Sequence, residues 1–440
     1  MFLNMMIDLE YSTFNICWAG CLLMLFNFSI VFMWRDVRND TKVVSAILFC
    51  LLVHHAVVFL NVYIPDADTF HAKTAHLASL GGIFSGPEGL PDFNDWSIKS
   101  FFSPAAGAVN YMHFLGFMYR FSASLFYGKE LSVLAFILSC VVLVKLLNLL
   151  DLRSFRVGII LLFGLLPSAV IHRTATLREP WQALFFLLFL YWTIRLWKRP
   201  GILILLFMLM SAFCMGSLHA ALAKYAIYLI VISLLWYIFS LKTRVRWPLY
   251  IRILFAGLFI TCLIISLQKI ELFMTLEEAV KDGASTRKAL LSYDTRTNFS
   301  SILDTSSVHG IVTTVPMAFV EYMFAPFPWQ VENVKDVCAW LESILRFVLL
   351  FFALFSWRRS SSEVRSCYFF LLIAVLGMEL IWSLGTANWG TAVRHHVPGY
   401  SVIVLLGAPG LILFMRRLQF GIFRIRKDSG ELNEQSLHMS

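Results

Sequence analysis

The chain has 440 residues, of which 59% are hydrophobic and only 14% charged, whereas a water-soluble domain carries roughly 25% charged residues. So much apolar surface needs lipid as its main solvent, which excludes an ordinary soluble fold. The net charge of +9 falls in short clusters between apolar runs rather than in one block, a pattern that belongs to membrane topology and argues against a nucleic-acid partner.

Residues 1–10 hold no basic residue and include Asp8 and Glu10, so the first apolar run reads as a retained anchor rather than a cleaved signal. Apolar runs near bilayer length then recur at about 13–34, 43–64, 130–150, 157–172, 180–197, 201–217, 220–240, 249–268, 338–357, 366–384 and 398–416. They predict an all-α polytopic membrane protein with about eleven transmembrane helices, forming one domain over 1–440. Two long connections, about 65–129 and 269–337, and a tail over 417–440 complete the chain. The eight cysteines lie in or at the ends of apolar runs without a CxxC pair, so neither a disulfide framework nor a zinc site is signalled.

Orientation follows from the basic residues. Arg35/Arg38/Lys42, Arg153/Arg156, Lys198/Arg199, Lys242/Arg244/Arg246, Arg358/Arg359/Arg365 and the tail all fall inside if the N-terminus is outside. The expected topology is therefore N-out and C-in, with both long loops outside. Segment 104–127 is apolar but interrupted by His113 and Arg120, and counting it as a span inverts the charge pattern that follows. It is expected to be a re-entrant or interfacial helix, which needs cover from protein or a wet cavity. PDADTFHAKTAHLASL reads as an interfacial helix capped by an aspartate, and TLEEAVKDGASTRKALL as a second amphipathic helix.

Polar residues that are costly in a membrane collect on the outer side. Asp66, Asp68, His71 and His76 open the first loop. His172, Arg173, Arg178 and Glu179 form the next short connection, His219 and Lys224 the third, and Arg394, His395 and His396 the last. Short outer loops are normally poor in Arg, so Arg173, Arg178 and Arg394 run against the bias that sets the topology. Their guanidiniums match phosphate oxygens, although snorkelling to the headgroups would also account for them. The three are expected to meet around an outward-facing cavity, with His395 and Lys224 as further phosphate ligands.

Asp66 and Asp68 can share a divalent cation such as Mg or Mn, or one can act as a base. An N-cap in a solvated loop is the plainer alternative. Asp68 and His71 share a helix face at i, i+3, so His71 could orient the carboxylate or move a proton. Glu342 and Arg346 can pair four residues apart, and Glu379 lies within a span, where charge is costly.

The Asp-x-Asp opening the first outer loop, the many spans and the arginines on later outer loops resemble the GT-C superfamily of membrane glycosyltransferases. LLPSAVIHRTATLREPWQALFFLLFLYW and GTAVRHHVPG are similar to segments of exopolysaccharide proteins of the EpsG-like and O-antigen-polymerase type. The direct similarity covers about a tenth of the chain. It implies an inner-membrane enzyme whose donor is a polyprenyl-(pyro)phosphate-linked saccharide and whose acceptor is a saccharide or lipid. By that resemblance Asp66 or Asp68, with His71, is catalytic, and Arg173, Arg178 and Arg394 hold the lipid phosphate. The external N-terminus and the lack of a soluble C-terminal domain depart from the GT-C pattern and favour the polymerase-like branch. A flippase or other transporter of lipid-linked oligosaccharides, and a non-catalytic scaffold of a synthase complex, stay open.

Overall fold

A computed structural model describes residues 13–62, 64–79, 106–240, 276–293 and 295–437. Its helices, in chain order, are α1 (Thr13–Met33), α2 (Arg35–Arg38), α3 (Thr41–Leu60), α4 (Pro65–Ser79), α5 (Ala106–Met118), α6 (Leu125–Leu149), α7 (Arg156–Leu165) and α8 (Pro167–Arg173). They continue as α9 (Glu179–Lys198), α10 (Ile202–Ser217), α11 (Ala220–Ser240), α12 (Leu276–Leu291), α13 (Val308–Phe324), α14 (Val334–Arg359), α15 (Ser362–Gly385) and α16 (Trp389–Leu437). No strand occurs among the described residues beyond an isolated bridge between Asn298 and Asn388. The all-α expectation holds, because in lipid a helix satisfies its own backbone.

Polar caps start several helices. Asp40 accepts from Val43 N (3.3 Å) at α3, Ser124 from Tyr127 N (3.1 Å) at α6 and Asn333 from Asp336 N (3.1 Å) at α14. Asn61, in the left-handed region at φ 49°, ends α3.

Among the described residues six helices are long and apolar enough to cross a membrane: α3, α6, α11, α14, α15 and the Trp389–Gln419 part of α16. A seventh span results if α7, with the 3₁₀ turn before it, and α8 count as one, although they meet at a 69° bend. The eleven predicted runs thus resolve more coarsely. α10 is a shorter apolar helix, α9 carries Glu179, Arg195 and Lys198 in its end turns, and 249–268 lies outside the described residues. α5, with 13 residues, reaches only about 20 Å and covers part of the 104–127 segment. Conversely, the second long loop contains α13, an apolar helix of 17 residues with Pro316 inside.

Helix directions alternate, so like connections gather. At one end Arg156 pairs with Asp40 (3.3 Å), and Lys198 binds the Leu149 carbonyl (2.7 Å) and Glu363 (3.3 Å). This basic end unites the turns at residues 34–40, 150–155, 199–201 and 360–361. At the opposite end Thr176 donates to the Ala67 carbonyl (2.8 Å), and Arg287 on α12 donates to the Ser383 and Thr386 carbonyls (both 2.9 Å). α16 runs through the centre, packed on α14, α9, α15 and α7, with Val402 to Leu406 buried. A side chain at Gly407 would overlap the Leu349 carbonyl, so this close crossing needs glycine.

Candidate functional site

The polar end of the bundle is built around the 174–178 linker between α8 and α9. On one side lies the start of α4. Pro65 opens that helix, which puts Asp66 in its first turn with a side chain outside the described residues, as is that of His76. Asp68, the fourth residue of α4, accepts from Ile64 N (3.3 Å) just before the helix, a reach-back bond rather than the N-cap of the sequence reading. Lys129 is the charge acting on it, held by Asn61 Oδ1 at 2.6 Å.

His71, one turn on, shares a 2.7 Å hydrogen bond through Nδ1 with the Tyr119 hydroxyl. Burial first, then Lys129, pushes His71 down to about 4, so it is neutral at physiological pH and a weak base. Ala67, Ala175 and Leu177 bury together against Ile64 and Phe70, fastening the Asp-x-Asp turn to the linker. Gly128 leaves room where the Tyr119 hydroxyl and Thr176 meet.

On the other side of the linker lie Arg178 and Arg394. Arg178 precedes α9 and donates to the Leu218 carbonyl (3.3 Å) in the α10–α11 turn. Arg394, on the first turns of α16, pairs with the buried Glu179 (3.1 Å). Both guanidiniums act on His219. Burial lowers its pKa, and Arg178, Arg394 and Lys224 lower it further, so it too is neutral. His395 stacks on Trp382 (4.1 Å) and bonds Thr386 Oγ1 (3.0 Å), while His219 meets the same indole edge-on at 4.6 Å. Lys224 reaches this end but pairs with Asp282 (3.0 Å). Among the described residues, the cations of Arg178, Arg394 and Lys224 gather at this end with the carboxylates of Glu179 and Asp282. Guanidiniums beside neutral imidazoles are groups that suit an anion.

Arg173 departs from the expected cluster. Its side chain, 1% exposed, turns away from the surface and donates to the Phe163 carbonyl (2.5 Å), with its guanidinium 3.9 Å from the Phe163 ring and 5.4 Å from that of Phe136, near the middle of α6. The cause is Pro167: Leu166 before it is extended, α7 ends, and its last carbonyls open inside the bundle. A buried guanidinium caps that break and lies on ring faces.

Other ionisable groups also sit deep, which the sequence signalled only at Glu342, Arg346 and Glu379. Glu379 binds His396 Nδ1 (2.7 Å), whose Nε2 lies 3.1 Å from the Tyr322 carbonyl. Glu342 and Arg346 share a face of α14 but bond elsewhere. Glu342 takes the Ser168 amide (2.8 Å), and Arg346 the Met323 carbonyl (3.1 and 3.0 Å). Glu130 holds His55 and Asn27 (both 3.0 Å) within apolar α1, α3 and α6. Sequence reading missed Glu130, at the edge of its apolar run, and His55, inside its own, since single polar residues carry no periodic signal. It also missed Arg287, which ties α12 to Glu321 (3.3 Å) and the end of α15.

Among the described residues no three His, Cys, Asp or Glu side chains converge to hold a metal ion. A divalent cation also fits Asp68 poorly, because Lys129 already supplies the neighbouring positive charge. No family model matches the chain, and neither the curated proteins nor the solved structures compared with it give a match.

Proposed function

We propose that the protein is a glycosyl transfer enzyme or repeat-unit polymerase of surface polysaccharide or glycolipid assembly. In this reading it lies in a bacterial inner membrane, with eleven spans and its N-terminus outside. The observation that carries the reading is the convergence of Arg178 and Arg394, on separate elements, beside the linker that also fastens the Asp-x-Asp turn.

The two guanidiniums would bind the phosphate of a polyprenyl-(pyro)phosphate-linked saccharide. As the glycosidic carbon–oxygen bond to phosphate breaks, the electron pair leaves with the phosphate, and the arginines stabilise that charge. Asp66 or Asp68, with neutral His71 alongside, would take the proton from the acceptor hydroxyl that forms the new bond. The donor lipid would enter sideways from the bilayer.

The test is Asp66→Asn and Asp68→Asn in a strain depending on this chain. Each is expected to abolish the surface glycan at normal membrane abundance, because an amide keeps the shape and removes the base. Full glycan synthesis by both variants would return the motif to a helix cap. Orientation is tested separately: in a background where native cysteines are silent, Ser285→Cys should label from outside and Ser361→Cys should not. Equal labelling would remove the topology.

One observation favours a second reading, a flippase or carrier for the same lipid-linked saccharide. Transporters hold ionisable residues deep in the bundle, and Arg173, Glu379 and His396 are buried there. The enzyme reading remains the better one, because the anion-suited cluster lies at one end of the bundle, beside candidate proton acceptors.

A further inference from the structure

Two depressions at the basic end of the bundle run into each other. One is a polar hollow of about 470 Å³ lined by Arg35, Lys42, Arg153 and Arg156, with Asp36 and Asp40. The other is a mainly apolar groove of about 410 Å³ between α3 and α7, lined by Ala46, Phe49, Val157 and Leu161. Thr41 and Lys42 line both. The hollow lies where helices end, and the groove continues from it down the flank of the bundle. From Thr41 to Phe49 it follows α3 for about 12 Å.

The hollow has four cations to two carboxylates. Arg156 is 9% exposed, pairs with Asp40 and binds Asn148, and keeps its Nε without a partner. Arg35, Lys42 and Arg153 are exposed around it. α3 and α7 both begin here, so the positive ends of two helix dipoles face the same space. Nearby, Lys145 stands 3.8 Å over the Trp34 ring, an aromatic–basic pair of the kind that marks a membrane interface. The groove is different in kind: Phe49 on its wall is 52% exposed, a wasteful surface for water but a natural one for an acyl chain.

We propose that this composite cleft binds one anionic phospholipid, its phosphate in the hollow and the upper part of an acyl chain in the groove between α3 and α7. Charge selects the headgroup, and the continuous apolar groove selects a lipid over a soluble phosphate. The site is at the opposite end of the bundle from Arg178 and is independent of the proposed transfer reaction; it needs only that the bundle sits in a membrane.

Native mass spectrometry of the delipidated full-length protein in detergent tests it. The probes are dioleoyl phosphatidylglycerol and dioleoyl phosphatidylcholine. One phosphatidylglycerol should be retained at least about tenfold better than phosphatidylcholine. The Arg35→Ala/Lys42→Ala/Arg153→Ala variant, altered only at exposed positions, should lose that preference. Ser45→Trp, which fills the groove, should lose retention with the charges intact. Millimolar inorganic phosphate should not displace the lipid, and Arg178→Met should retain it as the wild type does. Equal retention of both lipids, wild-type retention by the triple variant or by Ser45→Trp, or displacement by phosphate alone would each overturn the site. So would stronger retention of an undecaprenyl phosphate, which would make the cleft a donor-lipid port.

Discussion

Arg178→Met is expected to lower transfer from a lipid-linked donor by about 10²–10³-fold, the usual cost of removing one preorganised donor from a developing negative charge. The residue suits this test because it lies at the helix junction, where it donates to the Leu218 carbonyl at 3.3 Å. Methionine keeps most of the side-chain volume, so membrane abundance should not fall. Arg394 is a less clean choice. It pairs with Glu179, which is 2% exposed, and its removal would leave a buried carboxylate without its cation. Arg178→Lys sharpens the test: it keeps the charge but loses the planar fork, so intermediate activity indicates phosphate geometry and not simple attraction. Activity is read as incorporation of labelled sugar in membranes, against abundance by immunoblot. Wild-type incorporation by Arg178→Met would remove the phosphate role and leave Arg178 as a brace for the α10–α11 turn.

Much of the helical frame was legible because lipid gives a chain little choice: an apolar run of bilayer length is a helix. Arg178 and Arg394 are grouped in the sequence as cations against the expected loop bias, and both act on His219. Arg173 shows where such reasoning stops. It sits five residues before Arg178, yet the break at Pro167 turns its guanidinium inward to the Phe163 carbonyl. A proline signals that a helix breaks, not which way the next turn aims its side chains. α13 was missed for a related reason. This mainly apolar helix of 17 residues contains Pro316, lies in a long polar connection and falls short of a full span. The deep polar contacts escaped because each joins residues far apart in sequence, as Glu130 does with His55 and Asn27.

The buried Glu379–His396 pair yields the largest stability effect and also separates the two functional readings. His396→Leu is expected to cost about 3–5 kcal/mol, read as a large fall in Tm in detergent, because it strands Glu379 in the bundle. Glu379 has no exposure at all, its Oε2 depends on His396 at 2.7 Å, and its Oε1 has no hydrogen-bond partner. Gly399 leaves the space that carboxylate occupies, and of the neighbouring groups Tyr322 is neutral while Arg346 is held by the Met323 carbonyl. Replacing both residues, as Glu379→Leu with His396→Leu, should recover most of the loss, since two apolar groups of similar volume remove the desolvation cost on both sides. A double variant as unstable as the single would show that the lost contact to the Tyr322 carbonyl dominates. The stable double variant then carries the functional question. If sugar transfer happens at the Arg178 end, a pair confined to the interior is scaffolding, and the double variant should keep near-normal incorporation. If the protein instead carries its lipid-linked substrate across the membrane, buried charge along the path is part of the mechanism. A folded double variant should then lose movement of the substrate, and that result would favour the carrier over the enzyme.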